Sequence, residues 1–181
     1  MPDFAHRLRD RPLRASFNTL TIDPCAVIQP ARANAAWPAV SRGIFVPWFV
    51  TEPTTVTKLA IRIGAKAGKI DLGLYSYVPG TGTEVVRLAS TGPVEVPTEN
   101  SAMVGDIADQ NLNPATYFLA ASANTVTTLT VRRASLNNTL LQTYGCAQVA
   151  SVETLPSTAT LARIESAFLP EIMALTERTV L

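Results

Sequence analysis

Hydrophobic and polar residues alternate with a period of two through much of the middle of the chain. In TVTKLAIRIG (55–64), Leu59, Ile61 and Ile63 alternate with Lys58, Ala60 and Arg62; in KIDLGLYSY (69–77), Ile70, Leu72 and Leu74 alternate with Asp71, Gly73 and Tyr75. Successive side chains of a strand point to opposite faces, so each segment predicts a strand with one dry face. The two are expected to be adjacent, joined by a hairpin turn at GAKAGK (64–69). PGTG (79–82) is a turn signal, and EVVRLASTG (84–92) after it supplies Val86 and Leu88 for the returning strand of an antiparallel hairpin. Further candidate strands are GIFVPWFV (43–50), PVEV (93–96), AMVGDI (102–107), TYFLAAS (116–122) and TVTTLTVRR (125–133), with Asn111, Asn113 and Pro114 marking a turn. Short strands at this spacing, broken by turn residues, predict an all-β fold. The expectation is an antiparallel, jelly-roll-like β-sandwich rather than βαβ units.

Three regions follow from the texture. Residues 1–40 read as an extended N-terminal arm, because Pro2, Pro12, Pro24, Pro30 and Pro38 interrupt every stretch that a helix would need. Residues 41–135 hold the sandwich. Residues 136–181 either complete it or contact neighbouring subunits. In TLARIESAFL, Leu161, Ile164 and Phe168 sit at helical spacing between Pro156 and Pro170, which leaves helix and extended segment both open; Glu171 to Leu175 is a candidate last strand.

Charge changes the picture of the surface more than of the fold. Charged residues make up 16% of the chain against 47% hydrophobic, below the roughly 25% charge usual in soluble proteins, which suggests a surface partly covered by partners. The net charge of +1 provides no global basic field, so nucleic acid is not an expected partner. Locally, Arg7, Arg9, Arg11 and Arg14 outnumber Asp3 and Asp10 in the first fourteen residues, an arm suited to an acidic neighbour. The longest apolar run, Ile44 to Val50, is broken by Pro47 and too short to span a bilayer. The N-terminus has no apolar core of the secretory kind, so if the protein works outside a cell it is expected to leave by lysis or within a particle.

Candidate chemistry is sparse. Nucleophilic triads need a positioned histidine, and His6 stands alone in the arginine-rich arm. Cys25 and Cys146 have no CxxC or Cys/His pattern, so each reads as a small buried hydrophobe and no zinc site is expected. GAKAGK lacks the residue count and the Ser or Thr of a phosphate loop. Asp71, Glu84, Asp106 and Asp109 are the carboxylates available for paired acid/base work, which requires two of them about 5–9 Å apart; solvated strand and turn positions are the simpler account. Trp37, in a proline-flanked arm, is assigned to a partner contact, and Trp48, in an apolar strand, to the core. Tyr75 and Tyr77 lie opposite the Ile70–Leu74 face, pointing outward or between sheets, and are the candidates for stacking on a glycan. No catalytic residue, metal ligand or cofactor is assigned.

The succession GIFVPWFV (43–50), VTKL (56–59), GKIDLGLY (68–75), LASTG (88–92) and LNPATYFLAA (112–121) resembles a β-sandwich module of tailed-bacteriophage virion proteins, of the minor tail and fibre type. The resemblance covers residues 34–123, about half of the chain, and its motifs are strand and turn signatures. It implies a non-enzymatic structural virion component, with Gly73 where a neighbouring group comes close and Pro114 in the turn before the Tyr117 strand. It further implies a homo-oligomer, expected to be a trimer, that contacts other virion proteins or a host-surface glycan. Capsid decoration is the runner-up location, and a carbohydrate-binding module or glycan hydrolase the competing class.

Overall fold

A computed structural model of the chain describes residues 19–22, 32–39, 41–125, 128–134, 136–150 and 153–177. The strands in order are β1 (Thr19–Ile22), β2 (Arg32–Ala36), β3 (Gly43–Val50), β4 (Thr54–Arg62), β5 (Lys69–Tyr77), β6 (Glu84–Glu95), β7 (Ala102–Leu112), β8 (Ala115–Ala123) and β9 (Thr130–Ala134). A short helix, α1 (Asn138–Thr143), precedes β10 (Ala147–Val149), β11 (Thr158–Thr160), β12 (Ala162–Arg163), β13 (Leu169–Pro170) and β14 (Ile172–Glu177). Every pairing between these strands is antiparallel. The all-β, antiparallel expectation therefore holds.

One sheet has seven strands in the order β11-β6-β5-β8-β3-β10-β12. Its two end strands are consecutive in the chain, separated by Leu161 alone. Thr158 to Thr160 pair with β6 while Ala162 and Arg163 pair with β10, so one extended segment bridges both edges and the sheet is a nearly closed barrel. Closure removes the free edges that a flat sheet would expose. The remaining strands form a four-stranded sheet, β1-β14-β4-β7, and a three-stranded one, β13-β9-β2. These two meet at Glu171, where the Glu171 N–H donates to the Arg132 carbonyl (3.0 Å) and the Arg62 N–H donates to the Glu171 carbonyl (3.3 Å). The Glu171 carboxylate is buried there, with Arg132 Nε at 3.4 Å and Arg62 Nε at 4.0 Å.

Alternation along each barrel strand serves two cores. Outward-facing Ile44, Val46 and Trp48 of β3, Ile70, Leu72 and Leu74 of β5, and Leu119 and Ala121 of β8 pack against Leu59 and Ile61 of β4, Met103 of β7 and Ile172 of β14. The opposite positions fill the barrel: Phe45, Tyr75, Val85, Phe118, Ala120, Ala147 and Ala159, with Leu155 among them. Phe45 meets Tyr75 edge-on at 5.0 Å and Phe118 at 6.4 Å; such pairs add about 0.5–1.5 kcal/mol each beyond area burial.

Several expectations are corrected by this arrangement. β4 and β5 are not hairpin partners: β4 pairs with β7 and β14, β5 with β6 and β8, and 64–68 crosses between sheets. Their matching dry faces look at each other across the core. PVEV is no separate strand but the end of β6, and TLARIESAFL is extended, with Ala162–Arg163 and Leu169–Pro170 in strands. Within the expected arm, β1 pairs with β14 and β2 with β9, and beyond residue 135 β10 to β14 share sheets with strands of the middle region.

Candidate functional site

The two ends of the barrel differ. At one end, Asp71 and Gly73 occupy the same inward-facing row as Tyr75 and Tyr77. Residues 153–157 cross this end and are tied to each strand they pass. The Ser122 hydroxyl donates to the Glu153 carbonyl (3.1 Å), the Leu155 N–H donates to Asp71 Oδ2 (2.9 Å) and the Tyr75 hydroxyl donates to the Pro156 carbonyl (2.6 Å). The Arg87 backbone N–H then donates to the Ser157 carbonyl (2.8 Å), and its guanidinium to the Leu155 carbonyl. Gly73 makes room for this plug, since a Cβ there would stand 2.9 Å from Leu155 Cδ1 and 2.8 Å from the Tyr75 ring.

Asp71 is fully buried in this plugged end. Burial pushes its carboxyl above the ordinary range, against the opposing pull of the Leu155 amide, the Arg87 charge and the Thr91 hydroxyl. Its Oδ1 makes no hydrogen bond. Burial also pushes the Tyr75 phenol upward. These contacts tie residues 153–157 across this end of the barrel.

The other end is open. A cavity of about 210 Å³ lies at the barrel mouth, lined by Tyr77, Thr83, Gln142, Cys146, Leu161 and Arg163 together with the backbone of Gly82 and Gly145. Tyr77 ends β5, Thr83 precedes β6, and Leu161 and Arg163 come from the segment that closes the barrel. Residues 142–146 arrive from α1, whose N-cap Asn137 accepts the Leu140 N–H on its side chain. The Tyr77 ring rests edge-on against Phe118 at 4.9 Å, which leaves it 41% exposed. The Gln142 amide donates to the Ile164 carbonyl (2.9 Å), fixing that side of the rim. Cys146 is buried, and desolvation pushes its thiol up to about 12, so it stays protonated and acts as apolar wall. Arg163 is exposed, and the ion pairs among the described residues leave it without a carboxylate partner.

The residues singled out from sequence are dispersed accordingly. Trp37 is not a partner contact: it is buried within the chain, edge-on to Phe168 at 5.4 Å, with its indole N–H donating to the Arg42 carbonyl (3.0 Å). Tyr75 is not a stacking platform, because the closing of the barrel sheet buries it completely. Tyr77 reaches the open mouth. Trp48 lies in the core as expected. Asp71 is at the plugged end, Glu84 starts β6 at the opposite end, and Asp106 and Asp109 lie on β7 in the other sheet, with Asp106 2.6 Å from Lys58; the four carboxylates do not converge. Arg7, Arg9, Arg11, Arg14, His6 and Cys25 lie outside the described residues. Gln142, Leu161 and Arg163 carry no local sequence signal of a site and reach the mouth only because the barrel closes.

Comparison of the chain with protein-family models, with curated proteins and with solved structures finds no match.

Proposed function

We propose that the chain is a non-enzymatic structural component of a tailed-phage virion, of the minor tail or fibre type, that works by assembling with copies of itself and with other virion proteins. On this reading the module is a jelly-roll-like sandwich, which the packing of the barrel sheet against the four-stranded sheet supports. The resemblance over residues 34–123 motivates the reading, and the free edge of β7 is the observation that carries it. β7 is 11 residues long and stands at the end of its sheet. Its other flank has no strand partner among the described residues. Asp106, Asp109 and an irregular register opposite Val56 and Lys58 guard its second half; the first half, Ala102 to Gly105, has no charge, proline or lysine, and Val104 on it is 49% exposed, so this is the stretch open to pairing. A strand of a second copy added there satisfies its outward N–H and carbonyl groups.

Size-exclusion chromatography with light scattering tests this directly. The chain is expected to run as a homo-oligomer, a trimer on the family reading, at micromolar concentration. The double change Val104→Lys and Ala108→Lys, at exposed positions of β7, is expected to shift it toward monomer without loss of β-structure in circular dichroism. A wild-type chain that stays monomeric contradicts the assembly reading.

A further inference from the structure

The barrel mouth combines features that the assembly reading leaves unused. Tyr77 offers an exposed phenol ring whose position is held by Phe118 beneath it. Across the mouth, Arg163 brings the one formal charge among the lining residues. The lining also holds hydrogen-bonding side chains, those of Thr83 and Gln142 beside the Tyr77 phenol. Gly82 and Gly145 have φ of +71° and +78°, and a Cβ on Gly82 would meet nothing within 4 Å, so backbone is open to a ligand on that side. Exposed aromatic surface continues around this end. Phe49 is 68% exposed near the end of β3, two residues beyond Pro47, and Tyr144, 45% exposed, precedes the glycine whose Cβ would lie 3.7 Å from Pro47.

Each feature narrows the ligand. An exposed aromatic face suits the C–H face of a pyranose or another flat, partly apolar ring. A guanidinium with no ion pair among the described residues favours an anion, and a carboxylate is the planar group that matches its fork with two parallel hydrogen bonds. A volume of about 210 Å³ falls below the roughly 300–1,000 Å³ of drug-sized pockets, which limits the occupant to about one ring. The mouth opens to solvent, so that ring can be the end of a longer chain. A lipid tail finds no deep apolar slot, because the barrel interior behind Tyr77 is filled by Phe118, Phe45 and Tyr75.

We infer that the barrel mouth is a binding site for the terminal, carboxylate-bearing sugar of an acidic glycan, with Tyr77 stacking on the ring and Arg163 holding the carboxylate. The inference rests on the host-contact side of the virion reading, yet it concerns the isolated chain and is measured on it. A neutral sugar keeps the stacking and loses the guanidinium contact, so discrimination between acidic and neutral sugars is the signature of the site.

Isothermal titration and ligand-observed NMR with methyl glucuronide, methyl N-acetylneuraminate and neutral methyl glucoside provide the test. One of the two acidic sugars is expected to bind at least about tenfold tighter than the glucoside, a difference of ~1.4 kcal/mol. Tyr77→Ala is expected to abolish binding of both kinds, and Arg163→Gln to level acidic and neutral sugars. Lys66→Gln, an exposed position in the 64–68 crossing and outside the lining, is expected to leave affinity unchanged, and thermal melts of each variant establish that the barrel is intact. Because Arg163→Gln changes an exposed side chain, it keeps the test decisive should Tyr77→Ala loosen the barrel. Equal affinity for acidic and neutral sugars, binding that survives Arg163→Gln unchanged, or no binding by any of the three overturns the inference. Oligomerisation through β7 is read separately, so a failure here is distinguishable from a failure of the assembly reading.

Discussion

Two inward-facing residues of β5 show how much chemistry the closing of the barrel decides. Gly73 lies beneath Leu155 and beside Tyr75, so Gly73→Ala forces a methyl group into contacts of 2.9 and 2.8 Å. Overpacking of this kind costs about 1–3 kcal/mol, and the chemical-denaturation midpoint is expected to fall accordingly. Asp71 is buried with its carboxyl pushed upward, so the folded state holds a proton that the unfolded chain, with an ordinary value of about 3.9, releases first. Stability is therefore fully present below the ordinary carboxylate range and declines as pH rises toward the folded-state value. Asp71→Asn is expected to remove this decline: melts from pH 4 to 8 should coincide with wild type at the acid end and lie above it at the alkaline end. A wild-type curve that rises over this range contradicts the account of Asp71. From sequence, Asp71 and Tyr75 were legible as residues opposite the Ile70–Leu74 face. What that face meets was not, because alternation separates two sides of a strand without saying whether the second side meets water or a barrel interior.

At the scale of elements, the strands themselves were well marked and their partners were not. β3, β4, β5, β6 and β8 coincide with runs of alternating or continuous apolar residues, and the PGTG turn joins β5 to β6 as a hairpin. GAKAGK has the same look, yet it carries the chain from one sheet to the other: the Gly64 N–H donates to the Thr130 carbonyl (2.8 Å) and the Ala65 N–H to the Thr130 hydroxyl (2.6 Å), anchoring the loop to β9. That anchoring is long-range and has no local signature. β14 was foreseen as a candidate last strand, but its place between β1 and β4 makes it a central member of its sheet. Ile172 on it is buried in the main core beside Ile61 of β4. Ile172→Ala is thus expected to cost about 2–4 kcal/mol, measurable by urea unfolding; a change below 0.5 kcal/mol, on the order of a surface substitution, would show that β14 is peripheral.

For the whole molecule, the composition and period-two pattern identified an antiparallel all-β chain, and nothing local announced that one sheet closes. Closure depends on the segment around Leu161, a single residue between two short strands that pair with β6 and β10, and it brings Gln142 and Arg163 to Tyr77 from more than sixty positions away. The free edge of β7 and the Arg-bearing residues before β1 are the features through which a virion component would join its neighbours. Quantitative mass spectrometry of purified phage particles, with the chain expressed from its own locus, is the most direct test of that claim. The account predicts a fixed, small-integer number of trimers per particle that survives salt washing and density-gradient purification. Absence of the chain from particles that are complete and infectious would contradict it.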